Sequence, residues 1–254
     1  MDYSMEVLKA FNGNFLELKK YPNLKKLEII NYELNEELKN LPECLEVLEI
    51  RSHKFNQALD KLPDGLKLLE ICSWKFNQEF KNLPESLRVL KISYCYDFNK
   101  KLDNLPEGLK ELKMCCHNFN KKLDNLPVGL EILIIWSDNF NQELKNLPEY
   151  LEILDIMYSD NFNKKLENLP VGLKKLNISS CYIFNQKLDN LPLGLEELKI
   201  EYCSIFNQAL DNLPLSLNKL IIGEDYLEYY SLEEVFDMIP LGCELYVGVK
   251  KIDL

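Results

Sequence analysis

Threonine is absent from the chain, arginine occurs only as Arg51 and Arg88, and alanine only as Ala10, Ala58 and Ala209. Lysine supplies nearly all the positive charge. With abundant Asn, Ile and Tyr, this is the signature of an A/T-rich genome, so the Lys-for-Arg bias is not read as functional. No apolar run exceeds a few residues, which excludes a membrane-spanning helix. There is no excess of cations: 30 Lys+Arg stand against 41 Asp+Glu, a net charge of −11, so phosphate-backbone binding by counterion release, and with it a nucleic-acid partner, is not expected. The opening stretch MDYSMEVLKAFNGNFLELKK holds no apolar run of secretory length, so no signal peptide is expected. Eight cysteines contain no CxxC pair, and reduced thiols in a cytosolic protein are the expected state. Glycine is also scarce, at nine residues, yet there are eleven prolines. With 46% hydrophobic residues the chain is expected to fold.

The prolines are a ruler. From Pro42 they recur at 63, 84, 106, 127, 148, 170, 192 and 214, always in steps of 21 or 22; Pro22 precedes this series and Pro240 stands outside it. Phe-Asn keeps the same beat from Phe55-Asn56 to Phe206-Asn207, with Leu34-Asn35 as a degenerate first copy. The unit reads L-P-x-G-L-x-x-L-x-I, then four or five residues, then F-N-x-x-L-x-N. All length variation falls in the four-or-five-residue segment. The segment L-x-x-L-x-I alternates as a strand with one buried face, so Leu48 and Ile50, or Leu154 and Ile156, are expected in the core. Pro-x-Gly before it is turn chemistry, though Cys44, Ser86, Tyr150 and Ser216 replace the glycine, so a left-handed backbone is not required there. The Phe and the Leu four residues later are expected to close the coil. The following Asn is expected to form a ladder satisfying backbone groups of the neighbouring coil.

A unit this short cannot bury its apolar face alone, and stacking buries it. The expected fold is an α/β repeat solenoid: a leucine-rich-repeat-like stack of about ten 21–22-residue coils, with a parallel β-sheet on the concave face. The strings F-N-Q-x-L and F-N-K-K-L-D-N-L-P-x-G-L resemble, more specifically, the FNIP repeats, a leucine-rich-repeat-like family of social amoebae and giant DNA viruses. The chain differs in having Gln-Glu, Gln-Ala or Lys-Lys after Phe-Asn, where that family usually has Ile-Pro or Gln-Pro. The resemblance implies a binding scaffold. Some relatives carry an N-terminal F-box and look like substrate receptors of ubiquitin ligases; with only the stretch 1–14 before the first unit here, that three-helix module is not expected.

The expected organisation is a partial coil over 1–14, a solenoid over 15–222 and a cap over 223–254. In the cap, Ser231 to Glu234 reads as a capping box opening a helix over 231–239, and a strand is expected over 244–250. No phosphate loop, nucleophile elbow or zinc spacing occurs, and no cofactor or metal is expected. His53 and His117 occupy equivalent strand exits three units apart, roughly 15 Å at the spacing of stacked strands, too far to share a ligand. Asn177-Ile178-Ser179 matches a glycosylation sequon, of no consequence without secretion. Cys95, Cys181 and Cys203 sit at the bend of longer units, read as small buried side chains rather than a redox or metal site.

The candidate site comes from the outward strand positions. Glu28, Glu49 and Glu70 begin an acidic column that continues as Lys91 and Lys113, but Ile132, Ile134 and Trp136 are all apolar, joined by Ile153, Met157 and Tyr158. Val89 and Tyr94 lie two units back. Two readings stand: an interaction hot spot centred on Trp136, or a local slip of strand phase or a generally oily face. The Tyr-rich segments around Tyr94, Tyr96, Tyr158, Tyr182 and Tyr202 are likewise either a recognition rim or a bulge that keeps register. The expectation is a non-enzymatic cytoplasmic scaffold (host cytoplasm, for a viral protein) that binds an unidentified protein partner through its concave face. The alternatives are a substrate-capturing relative of the ligase receptors without the F-box, or a homo-oligomer assembled through Trp136.

Overall fold

The computed structural model describes residues 6–11 and 15–253; part of the partial coil expected over 1–14 lies outside them. The chain divides into two compact units, Met1–Phe119 with Asn125–Leu130, and Asn120–Asp124 with Glu131–Leu254.

The first unit holds β1 (Val7–Phe11), β2 (Lys26–Ile30), β3 (Val47–Arg51), β4 (Leu68–Cys72), β5 (Val89–Ser93) and β6 (Glu111–Cys115), each parallel to the next. The second holds β7 (Ile132–Trp136), β8 (Ile153–Met157), β9 (Lys175–Ser179), β10 (Glu197–Glu201), β11 (Lys219–Ile222) and β12 (Glu244–Val247), also parallel in sequence order. Each unit is a parallel-strand solenoid of leucine-rich-repeat type.

The strands follow from the alternation in the sequence. Leu48, Ile50, Leu154 and Ile156 are completely buried, while the residues between them face outward. Behind the strands the phenylalanines form a spine. Phe55, Phe76, Phe98 and Phe119 stack near-parallel at 6.0–6.2 Å in the first unit. Phe140, Phe162, Phe184 and Phe206 do so at 5.8–5.9 Å in the second, and Tyr226 extends the stack at 5.6 Å. Offset stacking of this kind adds about 0.5–1.5 kcal/mol per pair beyond area burial.

Beside the spine runs the asparagine ladder. The Asn77 N–H donates to Asn56 Oδ1 at 2.9 Å, the Asn56 N–H to Asn35 Oδ1 at 2.9 Å, and the Asn185 N–H to Asn163 Oδ1 at 3.0 Å. Where Gln follows Asn, its amide joins in: Gln78 Nε2 donates to Asn56 Oδ1 at 3.0 Å. Asn141 differs, for its Oδ1 is buried with no partner.

Three residues before each phenylalanine stands a small residue whose backbone carbonyl closes the bend. Phe76 N–H donates to Ser73 C=O at 3.2 Å and Phe98 N–H to Cys95 C=O at 3.0 Å. One-residue insertions are absorbed just upstream. In each of the four units with a five-residue segment, its second residue is left-handed: Tyr94 (φ 52°), Tyr158 (φ 51°), Ser180 (φ 53°) and Tyr202 (φ 55°). No short segment has such a residue among those described. The insertion is therefore a bulge that leaves the strands on either side in register.

None of the glycines in the repeats' Pro-x-Gly turns is left-handed, and only some are packed tightly. A Cβ on Gly172 would lie 3.3 Å from the Glu149 carbonyl oxygen of the previous coil. Ser216, in the same position, instead donates to the carbonyls of Leu193 and Leu195 at 2.8 and 2.7 Å.

At the cap, α1 (Leu232–Met238) starts at Ser231, whose side chain and that of Glu234 bond reciprocally to each other's backbone N–H. The strand expected over 244–250 is two strands. β12 stops at Val247, and after Gly248 (φ 57°) the chain reverses into β13 (Lys250–Ile252), antiparallel to β12. A turn residue with positive φ cannot extend a strand, and the apolar alternation that continues to Val249 hides it.

Candidate interaction surface

On β7 and β8, Ile132 stands beside Ile153, Ile134 beside Asp155, and Trp136 beside Met157. Leu133, Ile135, Leu154 and Ile156 are fully buried, so the strand phase does not slip and the intervening side chains face outward. Trp136 is 39% exposed, and Tyr158 meets it edge to face, 5.6 Å between centroids. Ile132, Ile134, Ile153 and Met157 are half-buried around them. The six residues named from the sequence thus lie together. Val89 and Tyr94 lie on β5 and the bend after it, in the first unit.

Beyond β8 this face in the second unit is mostly polar, and its charges are paired. Glu197 is 3.2 Å from both Lys175 and Lys219, Lys199 is 2.8 Å from Glu201, and the Lys219 ammonium sits 5.4 Å over the Tyr246 ring. The apolar patch is therefore bounded on the β9 side by charges that satisfy one another. In the first unit the column Glu28, Glu49 and Glu70 lies in register, with Arg51 at 3.5 Å from both Glu28 and Glu49.

The two histidines belong to a second feature, which their positions taken singly do not reveal. The residues two before each Phe (Leu34 in the first copy) form a column, Tyr32, His53, Trp74, Tyr96 and His117, along one rim of the first unit. Tyr32 and His53 stack at 4.7 Å, His53 and Trp74 at 3.9 Å, and Trp74 and Tyr96 at 6.2 Å; His117 meets Tyr96 edge-on at 6.3 Å. The two histidines are thus separated by two aromatic rings. The signal was present in the sequence as a column recurring with the repeat period. In the second unit the same position carries Asp138, Asp160, Tyr182 and Ser204, so no two successive coils there supply rings to stack.

The side chains at the bends bond to the previous coil in two ways: Ser52 and Ser73 donate to the carbonyls of Leu34 and Phe55, whereas the thiols reach the Ile carbonyl at the strand end. Cys95 Sγ donates to Ile71 C=O at 3.5 Å, Cys181 to Ile156 C=O at 3.6 Å and Cys203 to Ile178 C=O at 3.4 Å. Burial pushes the Cys95 and Cys203 thiols up to about 12, and those of Cys116 and Cys181 up as well, so they stay protonated and poorly nucleophilic. Among the described residues all the cysteines are free, and no three His, Cys, Asp or Glu side chains converge as metal ligands. No helix there is long and apolar enough to cross a membrane.

Residues 55–95 match the family model described as FNIP Repeat, which bears out the resemblance read from the Phe-Asn and Leu-Pro strings. Among solved structures the chain is similar to CroV588, described as a novel circular LRR protein, with 27% identity, a TM-score of 0.45, and coverage of 88% of this chain and 44% of that one. It is also similar to YopM from Yersinia enterocolitica WA-314, with 22% identity, a TM-score of 0.44, and coverage of 78% and 55% respectively. The chain thus spans about half the length of these proteins. No curated protein matches it.

Proposed function

We propose that this FNIP-repeat chain is a non-catalytic cytoplasmic scaffold that captures a protein partner on the outward sheet face at β7 and β8. Leucine-rich-repeat folds are generally protein-binding scaffolds, and their repeats present extended surfaces. The observation that carries the reading is the unbroken apolar row Ile132, Ile134 and Trp136 on a strand whose neighbours beyond β8 carry paired charges in the same columns. An aromatic anchor in a half-buried apolar surround, with a polar rim, is the arrangement of an interface hot spot. Strand packing does not require it, since β9 and β10 hold Lys, Asn and Glu at the cognate positions.

The test is affinity capture from host-cell extract with wild-type chain and with Trp136→Ala. The expected result is loss of the captured partner at unchanged circular dichroism, while Trp74→Ala, in the first unit, captures as wild type does. Capture that survives Trp136→Ala overturns the proposal. Sedimentation of both proteins separates capture of another protein from self-association, for which a wild-type dimer would dissolve in the Trp136 variant.

A further inference from the structure

The residue after each repeat proline splits the molecule. In the first unit this position reads Glu43, Asp64, Glu85 and Glu107, with Val128 last. In the second it starts with Glu149 and then turns aliphatic: Val171, Leu193 and Leu215 are 79%, 88% and 92% exposed. Leu241, in the Pro240-Leu241-Gly242 turn of the cap, is fully exposed as well. These side chains are in file because the turns stack. A Cβ on Gly194 would lie 3.7 Å from the Val171 carbonyl, and Ser216 donates to the Leu193 carbonyl at 2.8 Å. Successive leucines therefore stand about 4.8 Å apart, the spacing of hydrogen-bonded strands. The turn itself is indifferent to the side chain, for the acidic version in the first unit closes with the same hydrogen bond: Leu66 N–H to Pro63 C=O at 3.1 Å, against Leu195 N–H to Pro192 C=O at 3.0 Å.

An acidic row runs alongside. Glu167, Asp189 and Asp211, each four residues before an aliphatic tooth and so within about 14 Å of it, are all exposed; Glu167 lies 3.3 Å from Lys165, and Asp211 has Ala209 where the other two have a lysine two residues before them. The second unit as a whole carries 22 Asp+Glu against 12 Lys.

We infer that this ridge is a second docking edge, distinct from the Trp136 face, and that its occupant is a basic amphipathic helix lying along the file of turns. A helix advances about 5.4 Å per turn, close enough to the coil spacing for an apolar stripe at i, i+3 or i+4, and i+7 to meet three successive teeth. Lysines flanking that stripe meet the acidic row. Two other occupants fit worse. A second copy of the chain would set one acidic row against another across a file one residue wide, far short of the roughly 20–30 residues per side of stable complexes. An anionic lipid surface is repelled by the same charge.

Fluorescence anisotropy tests this with a labelled 18-residue peptide of Leu and Lys carrying such a stripe, and with its Leu/Glu counterpart. The variant Leu193→Gln/Leu215→Gln alters only solvent-exposed side chains and no charge. The expected results are binding of the Lys peptide, at least tenfold weaker binding of the Glu peptide, and at least tenfold weakening of the Lys peptide on the double variant, with Trp136→Ala unaffected. Equal binding of the Lys peptide by wild type and double variant overturns the proposal, because charge alone would then hold it. Co-sedimentation with phosphatidylcholine vesicles, or a dimer, that the double variant abolishes overturns it in favour of lipid or a second copy.

Discussion

The two units share one frame and differ in what they hang on it. Both have the phenylalanine spine, the asparagine ladder and strands with the same buried inner positions. The first unit balances 19 acidic residues against 18 basic ones, and carries a rim stack of aromatics from Tyr32 to His117. The second carries almost all the net charge, and its exposed apolar groups include the Trp136 face and the turns from Val171 to Leu215. Frame positions are those where one coil touches the next through the core, and there the residue type barely varies. Positions that touch only along a rim are free to differ, and they do so unit by unit.

The sharpest way to break this comparison is in the shared spine. Phe98→Ala and Phe162→Ala, one in each unit, each remove a fully buried ring flanked by two stacked neighbours and are expected to cost about 3–5 kcal/mol, read as a shift in urea midpoint. A large difference between the two would mean the frames are not equivalent.

The asparagine ladder should distinguish the units. Asn56→Ala strips the acceptor from the Asn77 N–H and from Gln78, leaving a part-buried donor unmatched, at an expected cost of about 1–3 kcal/mol. Asn141→Ala removes an oxygen that accepts nothing and is expected to cost under about 0.5 kcal/mol. Equal losses in chemical denaturation would show that Asn141 has a partner in solution.

The smallest effect is the pH response of the second unit. Burial raises the Glu197 pKa, but hydrogen bonds and charge from Lys175 and Lys219 outweigh it, so the folded value lies below the ordinary one. A lowered folded pKa adds stability that is full above the unfolded value of about 4.3, and is lost as pH falls through the folded value. Glu197→Gln should therefore flatten the acid limb of the stability curve below about pH 4.5, leaving its dependence above about pH 6 unchanged. A parallel displacement at all pH values would assign the effect to packing.

Much of the frame was legible because its signals are local. Proline spacing set the period, alternation set the strand phase, and Phe-Asn marked the spine and ladder. The Trp136 face was legible for the same reason, since three outward positions of one strand are read within a single short segment. The rim stack and the aliphatic ridge were not. Tyr32, His53 and Trp74 become neighbours only when residues one full repeat apart are placed side by side, and one-residue insertions shift that count. Leu193 and Leu215 look ordinary in their own coils and matter only as a file. Gly248 was missed because Val247 and Val249 continue the strand pattern across a turn.

The left-handed bends at Tyr94, Tyr158, Ser180 and Tyr202 have a consequence for how such a chain changes over generations. Each absorbs an added residue at the bend, so the spine and the paired strands on both sides stay in step. The longer coils and the shorter ones are therefore interchangeable parts. Duplication, loss or exchange of whole coils leaves the next coil with the same surface to stack on. Such a chain can acquire a new outward face by recombination, one coil at a time, without having to solve its folding again.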